Sequence, residues 1–316
     1  MDPIAAEGEA LLSKGAEVVR APDSAPDTIR RLAKDADGII IRSKLPEDIF
    51  EAAPRVKAVA IHGTGTDLVP VASATRHGVM VTNLPGVNAQ SVAEYCVMAM
   101  LMLARNIVAI TAALRTQPWD EARKGGSGAW ELEGTTVGII GVGEIGRRVA
   151  KICRQGFGMR VLGSQRRLDR LPADAEPAAL EALLGESDFV VIACPLTPQT
   201  RHLINPRTLA LMKKSAWLIN VGRGAVVDEN SLISFLKKKQ IAGAMLDVYE
   251  QYRLPPEHEL FKLDNVILTP HLAGVTRAAR GRASVAAAAE MLRMLAGERP
   301  INLVNPEALN ARAANH

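Results

Sequence analysis

The amino-acid sequence predicts an α/β protein with doubly wound parallel sheets, that is, sheets covered by helices on both faces. Short β-branched runs alternate with helical segments along almost the whole chain, which is the pattern of this fold class. These runs are continuously apolar rather than alternating, as is typical of parallel strands buried on both faces. A length of 316 residues, 48% of them hydrophobic, favours two domains.

Nine short apolar runs predict the strands of the fold. They span residues 38–43, 56–63, 78–85, 136–143, 159–164, 188–195, 216–222, 241–248 and 265–271. The first three runs belong to an N-terminal unit, and the other six belong to a second unit that starts at Thr136. A long helix, about Ala89 to Arg115, and a Gly-rich loop at 124–134 connect the two groups.

The domain boundaries are expected near Asn88 and Thr276, with the end of the chain returning to the first domain. We assign residues 1–88 and 284–316 to the first domain and residues 89–283 to the second. The Ala-rich stretch at 277–298 predicts a helix that packs back on either of the two units.

Charge and cysteine usage exclude several function classes. Lys and Arg exceed Asp and Glu by only 38 to 34, and no Lys/Arg run is concentrated, which argues against nucleic-acid binding. Cys96, Cys153 and Cys194 are odd in number and far apart, so they predict reduced thiols rather than disulfides. Without a C-x-x-C pair, we expect no zinc and no other metal.

The sequence contains neither a recognisable signal peptide nor a recognisable membrane span. The first fifteen residues contain acidic side chains and no basic segment, so no signal peptide is expected. The most apolar run, Cys96–Ala104, is too short to cross a bilayer and predicts a buried helix. These features predict a soluble, cytoplasmic protein with no membrane partner.

A glycine motif predicts a dinucleotide site. Gly141-x-Gly143-x-x-Gly146 follows an apolar strand and opens a helix whose first residues include Glu144 and Ile145. The first Gly permits a tight turn, the second allows close approach of the pyrophosphate, and the third allows the helix to pack on the strand. The helix N-terminus adds N–H donors and a favourable dipole for the phosphates.

The end of the next strand indicates which dinucleotide binds. An Asp or Glu about 20 residues after the motif normally accepts a hydrogen bond from the ribose 2′-hydroxyl of NAD. Here Ser164 is followed by Gln165, Arg166 and Arg167, and guanidinium groups favour a 2′-phosphate. We therefore predict NADP (NADPH) over NAD; the alternative is that these arginines only solvate a helix start.

Two residues at strand ends have side chains suited to binding a carboxylate and to transferring a proton. Arg223 lies between two glycines just after a strand, where ligands of open α/β sheets bind, and can hold a carboxylate. His271 follows Pro270 at the end of another strand, and an imidazole titrates near neutral pH, as general acid/base catalysis requires. Taken alone, either residue also fits a structural role.

The order of these motifs along the chain is that of a known family. The matching stretches are "HGTGTD" (62–67), "VTNLPGVNAQSVAEY" (81–95), "VGIIGVGEIGRRVA" (137–150), "CPLTPQTRHLI" (194–204), "NVGRGAVVDENSL" (220–232) and "ILTPHLAG" (267–274). From about Asp2 to Asn302 the sequence resembles the D-isomer-specific 2-hydroxyacid dehydrogenase family, whose glyoxylate/hydroxypyruvate reductases and phosphoglycerate dehydrogenases it is similar to. The resemblance implies two Rossmann-like domains, with substrate in the first and cofactor in the second. It also implies a homodimer formed through the cofactor domain.

The resemblance implies roles for individual residues. Arg223 would bind the carboxylate of a small 2-oxoacid and polarise its keto group, and His271 would donate the proton during reduction to the 2-hydroxyacid. The backbone of Thr64 and Gly65 would also hold the carboxylate. Contacts to the far end of the substrate would come from Arg42, Ser43 or Lys44. Cofactor contacts would come from Gly141, Gly143, Glu144, Ile145, Gly146, Ser164, Gln165, Arg166, Arg167, Cys194, Pro195, Thr200, Val221, Gly222, Asp247, Ala273 and Gly274.

The sequence departs from the family between the proposed Arg and His. The family text D-V-F-E-P-E-P carries a second acid that pairs with the catalytic His, and Tyr252 stands in its place. Loss of that carboxylate lowers the pKa expected for His271 and removes a group that orients the ring. Tyr252 would then contact the substrate.

Three interpretations of this departure are open. The enzyme works with an unassisted His271, a nearby acid (Glu250, Glu257 or Glu259) takes over the role, or turnover is lost while ligand binding is kept. The third interpretation is our alternative function, an NADPH-binding sensor or corepressor-type protein. Turnover of 2-oxoacids distinguishes it from a dehydrogenase.

A second departure lies at the beginning of the sequence. Family members usually carry a strand before the "DPI" text, whereas this sequence starts at Met1-Asp2-Pro3. The expectation is that the recorded start lies downstream of the true one, or that the first sheet has lost a strand.

Overall fold

A computed structural model describes residues 4–310. Residues 1–3, where the departure at the start of the sequence falls, lie outside the described part. The chain forms two compact units, Met1–Asn88 with Val275–His316 (unit 1) and Ala89–Gly274 (unit 2). Each unit has its own sheet, and every strand pair in both sheets is parallel among the residues described. The predicted α/β fold class is therefore confirmed.

The helices and strands follow one another in the order expected for this class. The helices are α1 (Ala6–Leu12), α2 (Pro26–Ala33), α3 (Ile49–Ala52), α4 (Val71–Arg76), α5 (Ala89–Ala104), α6 (Ile107–Thr116), α7 (Trp119–Lys124), α8 (Glu144–Lys151), α9 (Leu180–Glu186), α10 (Pro206–Leu209), α11 (Glu229–Lys237) and α12 (Arg277–Leu295). The strands are β1 (Gly38–Ile41), β2 (Ala58–Ile61), β3 (Met80–Thr82), β4 (Thr136–Ile140), β5 (Arg160–Ser164), β6 (Glu176–Pro177), β7 (Phe189–Ile192), β8 (Trp217–Asn220), β9 (Gly243–Leu246) and β10 (Val266–Leu268).

Unit 1 is a parallel sheet with helices on both faces. The sheet order is β1-β2-β3 within residues 4–88 and 275–310. Because successive side chains of a strand point to opposite faces, β2 supplies both cores. Val59 and Ile61 pack with residues of α2, α3 and α4, while Ala58 and Ala60 pack with residues of α12. Helix α12 therefore belongs to unit 1, one of the two placements that its sequence allowed.

The C-terminal segment after α12 closes the β3 edge of this sheet. Thr82 pairs with Leu303 in an antiparallel bridge. The buried side chain of Asn305 accepts a hydrogen bond from the Val81 N–H (2.9 Å) and donates one to the Val79 carbonyl (2.9 Å). These contacts satisfy backbone groups that an open sheet edge would leave exposed.

Unit 2 is a doubly wound parallel sheet. Within the described chain its order is β10-β9-β8-β7-β4-β5-β6, so the direction of winding reverses between β4 and β7. Residues of α5 and α8 form the core on one face, and residues of α9, α10 and α11 form the core on the other. Ligands of such sheets bind at the carboxyl ends of the strands that flank the reversal.

Two elements of unit 2 differ from the prediction. The helix predicted over 89–115 is wrong as a single element, because it breaks into α5 and α6 at Asn106, whose φ of 50° lies in the left-handed region. Strand β6 was not predicted; it has only two residues, one of them a proline. A proline is tolerated there because β6 lies at the edge of the sheet.

No single helix among residues 4–310 is long and apolar enough to cross a bilayer. Helices α5 and α6 meet the length and composition criteria only as a pair bent by 54°. Most of α5 is buried in the core of unit 2.

Candidate active site

The first and third glycines of the motif are required by close packing. Gly141 follows β4 with a φ of 92°, and a Cβ there would lie 2.6 Å from the backbone nitrogen of Cys194. A Cβ on Gly146, in the first turn of α8, would lie 2.5 Å from the carbonyl oxygen of Gly141. Both positions therefore exclude larger residues, and Gly141 and Cys194 meet where the winding of the sheet reverses.

The second glycine has open space around it. Gly143 precedes α8, and a Cβ built on it would meet no atom within 4 Å. The first-turn N–H groups of Glu144, Ile145 and Gly146 lie at this helix end, and the glycine has no side chain that caps them. A pyrophosphate fits this arrangement, because the backbone is accessible and the helix dipole favours an anion.

The turn after β5 carries the residues expected to choose the cofactor. The amide of Gln165 donates to the Arg167 carbonyl (2.7 Å), and the Arg167 guanidinium pairs with the Asp169 carboxylate (2.7 Å). The Asp169 partner raises the pKa of Arg167, mainly through the side-chain hydrogen bond. Arg166 is exposed in the same turn, and Ser164 before it is partly buried.

The turn after β7 is closed by its own side chains. The Thr200 hydroxyl donates to the Pro195 carbonyl (2.7 Å) and accepts from the Thr197 N–H (2.7 Å). Cys194 is buried, and burial raises the pKa of its thiol to about 11. This thiol stays protonated at neutral pH, so its expected contribution to the site is shape rather than redox chemistry.

A residue that the sequence did not single out fixes the turn of Arg223. Asn220, the last residue of β8, is buried; its side chain accepts from the Gly222 N–H (3.1 Å) and donates to the Arg223 carbonyl (3.2 Å). The Arg223 guanidinium donates to the Gly222 carbonyl (2.8 Å). The sequence signal for Asn220 is an Asn before the Gly-Arg-Gly turn, because an Asn side chain readily bonds nearby backbone groups.

The glycines of that turn also face close neighbours. A Cβ on Gly222 would lie 2.7 Å from the Cys194 carbonyl oxygen, and a Cβ on Gly224 would overlap the backbone of Tyr249. Val221, just before them, is buried. Together with Asn220, these contacts hold the Arg223 backbone in one conformation.

The carboxylate of Asp247 organises the loop that contains His271. Asp247 is 1% exposed, and one of its oxygens accepts from the Thr269 hydroxyl (2.6 Å) and the Leu272 N–H (2.6 Å). The other oxygen accepts from the Ala273 N–H (2.9 Å). The cofactor contact that the sequence predicts for Asp247 stays a prediction. Within unit 2 its carboxylate makes the three hydrogen bonds just described. Gly274 ends the loop and is partly buried.

His271 has an unusual backbone and an aromatic neighbour. Its φ is 58°, in the left-handed region that residues other than glycine seldom adopt. Its N–H donates to the Asp247 carbonyl (3.0 Å). The ring of Tyr252 lies edge-to-face with the imidazole, with centroids 6.0 Å apart and an interplanar angle of 66°.

Two of the acids considered as substitutes are engaged with other side chains. The Glu250 carboxylate lies 2.9 Å from Nε2 of His202. Glu259 forms ion pairs with Lys237 and Lys262, and these bonds lower the pKa of its carboxyl to about 2. Glu257 is exposed. The residue that the structure brings to His271 from this segment is Tyr252, 70% exposed.

The candidate substrate residues of unit 1 lie at the carboxyl ends of its strands. Arg42, Ser43 and Lys44 follow β1, and Lys44 pairs with Glu47 (3.2 Å). Thr64 and Gly65 lie in the turn after β2. The Thr64 hydroxyl donates to the Leu84 carbonyl (3.1 Å), and its own carbonyl accepts from the amide of Asn83 (2.7 Å). Their contacts with substrate stay a prediction.

Comparison with known proteins gives the family. Residues 97–273, more than half of the chain, match the model of the D-isomer specific 2-hydroxyacid dehydrogenase NAD binding domain. A glyoxylate reductase of Thermofilum pendens is 40% identical over 304 residues, covering 92% of this chain and 87% of the relative. A D-3-phosphoglycerate dehydrogenase of Methanocaldococcus jannaschii is 36% identical, covering 96% of this chain and 58% of the relative.

Solved structures with the same fold bind both kinds of nicotinamide cofactor. An NADPH-dependent glyoxylate/hydroxypyruvate reductase of Sinorhizobium meliloti, in complex with NADP and malonate, is 29% identical with a TM-score of 0.82, covering 97% of this chain and 95% of its own. An NAD-dependent formate dehydrogenase of Staphylococcus aureus, in complex with NAD, is 28% identical with a TM-score of 0.82, covering 92% and 88%.

The same conclusion follows from the glycine motif, from the sheet reversal beside it and from these similarities. The predicted resemblance is confirmed, and so is the prediction of an oxidoreductase with a nicotinamide cofactor. The chain belongs to the D-isomer-specific 2-hydroxyacid dehydrogenase family.

Proposed function

We propose that this protein reduces a small 2-oxoacid, such as glyoxylate or hydroxypyruvate, to the 2-hydroxyacid with NADPH. The observation that carries the proposal is the pair of chemically suited side chains in unit 2, on the turn after β8 (Arg223) and the loop after β10 (His271). Relatives named glyoxylate reductase at about 40% identity support the substrate class.

The two side chains have different tasks in the proposed reaction. Arg223 binds the substrate carboxylate through its two-pronged guanidinium, and its charge polarises the 2-oxo group. A reduced nicotinamide supplies the hydride to C2. Protonated His271 donates its proton to the oxygen that becomes the hydroxyl. In the reverse direction the neutral imidazole of His271 accepts that proton.

The proposed choice of NADPH rests on charge at the turn after β5. Gln165 carries no negative charge that would repel a 2′-phosphate. Arg167 is already paired with Asp169, so its charge is partly compensated. We assign the main contact with the 2′-phosphate to the exposed Arg166, with Ser164 as a second donor.

Tyr252 is proposed to take the place, but not the charge, of the family's acid. Its edge-to-face contact with the imidazole fixes one side of the ring. A phenol does not stabilise an imidazolium as a carboxylate does, so we propose that position 252 contributes orientation and not charge to His271. The tip of Tyr252, being exposed, is assigned a contact with the substrate.

We also propose that two copies associate through unit 2, in the cytoplasm. Helix α6 has no buried residue, and Ile107, Val108 and Leu114 on it are about half exposed. Apolar surface of this kind on a folded chain marks a site of association. The three cysteines are buried and free, which supports a reducing compartment.

The proposal is tested by assaying a panel of 2-oxoacids with NADPH and with NADH. We expect turnover of glyoxylate or hydroxypyruvate with NADPH, reduced at least about a hundred-fold in His271→Ala and Arg223→Ala. Arg166→Ala is expected to raise the KM for NADPH about ten-fold without affecting NADH, and the control Arg167→Ala to do so less.

The outcomes separate the parts of the proposal. NADPH binding without turnover of any 2-oxoacid would favour the sensor function instead. Equal use of NADH and NADPH, unchanged in Arg166→Ala, would contradict the cofactor assignment while leaving the reductase chemistry standing.

A further inference from the structure

A partly buried chain of hydrogen bonds runs from helix α5 to the loop of His271. The Tyr95 hydroxyl lies 2.5 Å from Oγ1 of Thr269, and this oxygen lies 2.6 Å from a carboxylate oxygen of Asp247. A carboxylate only accepts, so the Thr269 hydroxyl donates to Asp247 and accepts from the Tyr95 hydroxyl. Burial raises the pKa of Tyr95 well above its ordinary value, which keeps the phenol a donor.

This chain of hydrogen bonds reaches residues before and after His271 in the sequence. Thr269 stands two residues before it, and Asp247 accepts from the N–H groups of Leu272 and Ala273 just after it. The left-handed backbone of His271 costs free energy and persists only where surrounding contacts determine it. The Asp247 carboxylate supplies such contacts, and its orientation depends on the hydroxyl of Thr269.

Helix α5 is a rigid starting point for this chain. Ala93, Cys96 and Met100 on α5 are fully buried in the core of unit 2. Tyr249 supports the same loop differently, since its hydroxyl bonds the carbonyl oxygens of Leu246 (3.1 Å) and Thr269 (2.8 Å). Tyr95 constrains the side chain of Thr269 from the acceptor side of Oγ1, while the bond to Asp247 constrains it from the donor side.

We infer that Tyr95 is a positioning residue for the proton donor His271, acting through Thr269 and Asp247. The inference rests on the proposed function, in which His271 protonates the 2-oxo oxygen. Tyr95 contacts neither substrate nor cofactor in this role. Removal of its hydroxyl takes away the donor to the partly buried Oγ1 of Thr269 and so loosens the side chain that donates to Asp247. The imidazole is then less well placed for proton transfer.

The test compares Tyr95→Phe with the wild-type enzyme in steady-state kinetics. We expect kcat for 2-oxoacid reduction to fall about ten-fold, because small displacements of a proton donor are costly. The solvent deuterium isotope effect on kcat should rise, because proton transfer becomes more rate-limiting. A residue that only stabilises the fold would not move the isotope effect.

Two further variants and a control complete the experiment. Thr269→Val breaks the chain of hydrogen bonds at its centre and should lower kcat more than Tyr95→Phe does. Thr269→Ser keeps the hydroxyl and should therefore keep most of the wild-type kcat. The control is Ser187→Ala, which removes another buried hydroxyl of unit 2, bonded to the Leu183 carbonyl (2.6 Å). We expect it to lower the melting temperature without changing kcat or the isotope effect.

The result that overturns the inference differs from the one that overturns the proposed function. Tyr95→Phe with kcat within about two-fold of wild type, or with a loss of kcat matched by Ser187→Ala, would refute the positioning role alone. Full activity of His271→Ala would refute the proposed function, and the role of Tyr95 with it.

Discussion

Tyr252 replaces a carboxylate with an uncharged ring beside His271, and this one difference changes the electrostatics of the proposed proton donor. A carboxylate at this position would stabilise the imidazolium and raise the pKa of His271. The proposed reduction needs the protonated imidazole, so activity is expected to fall as pH rises through that pKa. The pH at which activity is lost therefore reports on the residue at position 252.

Replacement of Tyr252 by an acid is expected to extend activity to higher pH. In Tyr252→Glu, the alkaline limb of the kcat/KM profile should shift upward by roughly half a pH unit, a modest value because the site is exposed and solvent screens the charge. Tyr252→Phe keeps the ring and should leave that limb where it is. An unchanged limb in Tyr252→Glu would show that position 252 does not influence the ionisation of His271.

At the same scale, the residues proposed to reach a ligand carry a clearer signal in the sequence than those that support their turns. Arg223 and His271 stand out because a charged or titratable side chain follows a strand beside Gly or Pro. Asn220 and Tyr95 are ordinary residues of a strand end and a helix, and only the distances between their side chains and remote backbone or hydroxyl groups reveal them. Such long-range hydrogen bonds leave no periodic signal in a sequence.

At the scale of elements, strands were predicted well because their signal is local. All nine predicted runs contain strands, since β-branched apolar runs bounded by Gly and Pro are typical of buried parallel strands. The break between α5 and α6 was missed because apolar residues continue across it, and the left-handed residue is Asn106, a type that tolerates that conformation. Strand β6 is too short to produce a pattern.

The end of β2 carries an imidazole with a structural consequence. Nε2 of His62 lies 2.8 Å from the Ser284 hydroxyl, which also accepts from the Ala5 N–H (2.8 Å). This hydroxyl can donate to a neutral imidazole or accept from it, depending on the tautomer of His62. Burial, and then the charges of Arg42 and Arg280, lower the pKa of His62 to about 4.

This imidazole should make unit 1 less stable in acid. Below the ordinary pKa of about 6.5 the unfolded chain binds a proton here, whereas the folded chain does not until pH 4 is approached. The free energy of unfolding contributed by His62 is thus complete above about pH 6.5 and declines as pH falls towards 4. Between pH 7 and pH 4.5 we expect a loss of about 1–2 kcal/mol, after allowance for its partial exposure.

The measurement is urea unfolding followed by far-ultraviolet circular dichroism, at the two pH values, for wild type and His62→Gln. Circular dichroism is the suitable probe because all three Trp residues and all three Tyr residues lie in unit 2. The variant should lose less stability than wild type between pH 7 and pH 4.5, since contributions from other groups cancel in the comparison. Equal losses would contradict the assignment of a neutral His62.

At the scale of the whole molecule, an apolar surface of unit 2 needs an explanation. Ile107, Val108 and Leu114 on α6 and Trp119 on α7 are exposed to between 45% and 65%. These side chains, which we call the α6 surface, contribute nothing to the core of their own unit. Apolar side chains exposed on one surface mark a site of association, and the proposed homodimer requires no partner other than the same protein.

A charge on the α6 surface is therefore expected to separate the two copies. Val108→Glu would place a carboxylate in an apolar interface, once per copy, and should weaken association by roughly a hundred-fold or more. Light scattering after size exclusion should give the mass of two chains for wild type and of one chain for the variant.

The control Phe261→Glu adds the same charge at another exposed apolar residue of unit 2 and should remain a dimer. Because no residue of α6 is buried in its own unit, the variant should keep the wild-type melting profile at concentrations where both proteins are monomeric. A wild-type chain that is monomeric at micromolar concentration, or a Val108→Glu variant that stays dimeric, would remove α6 from the interface.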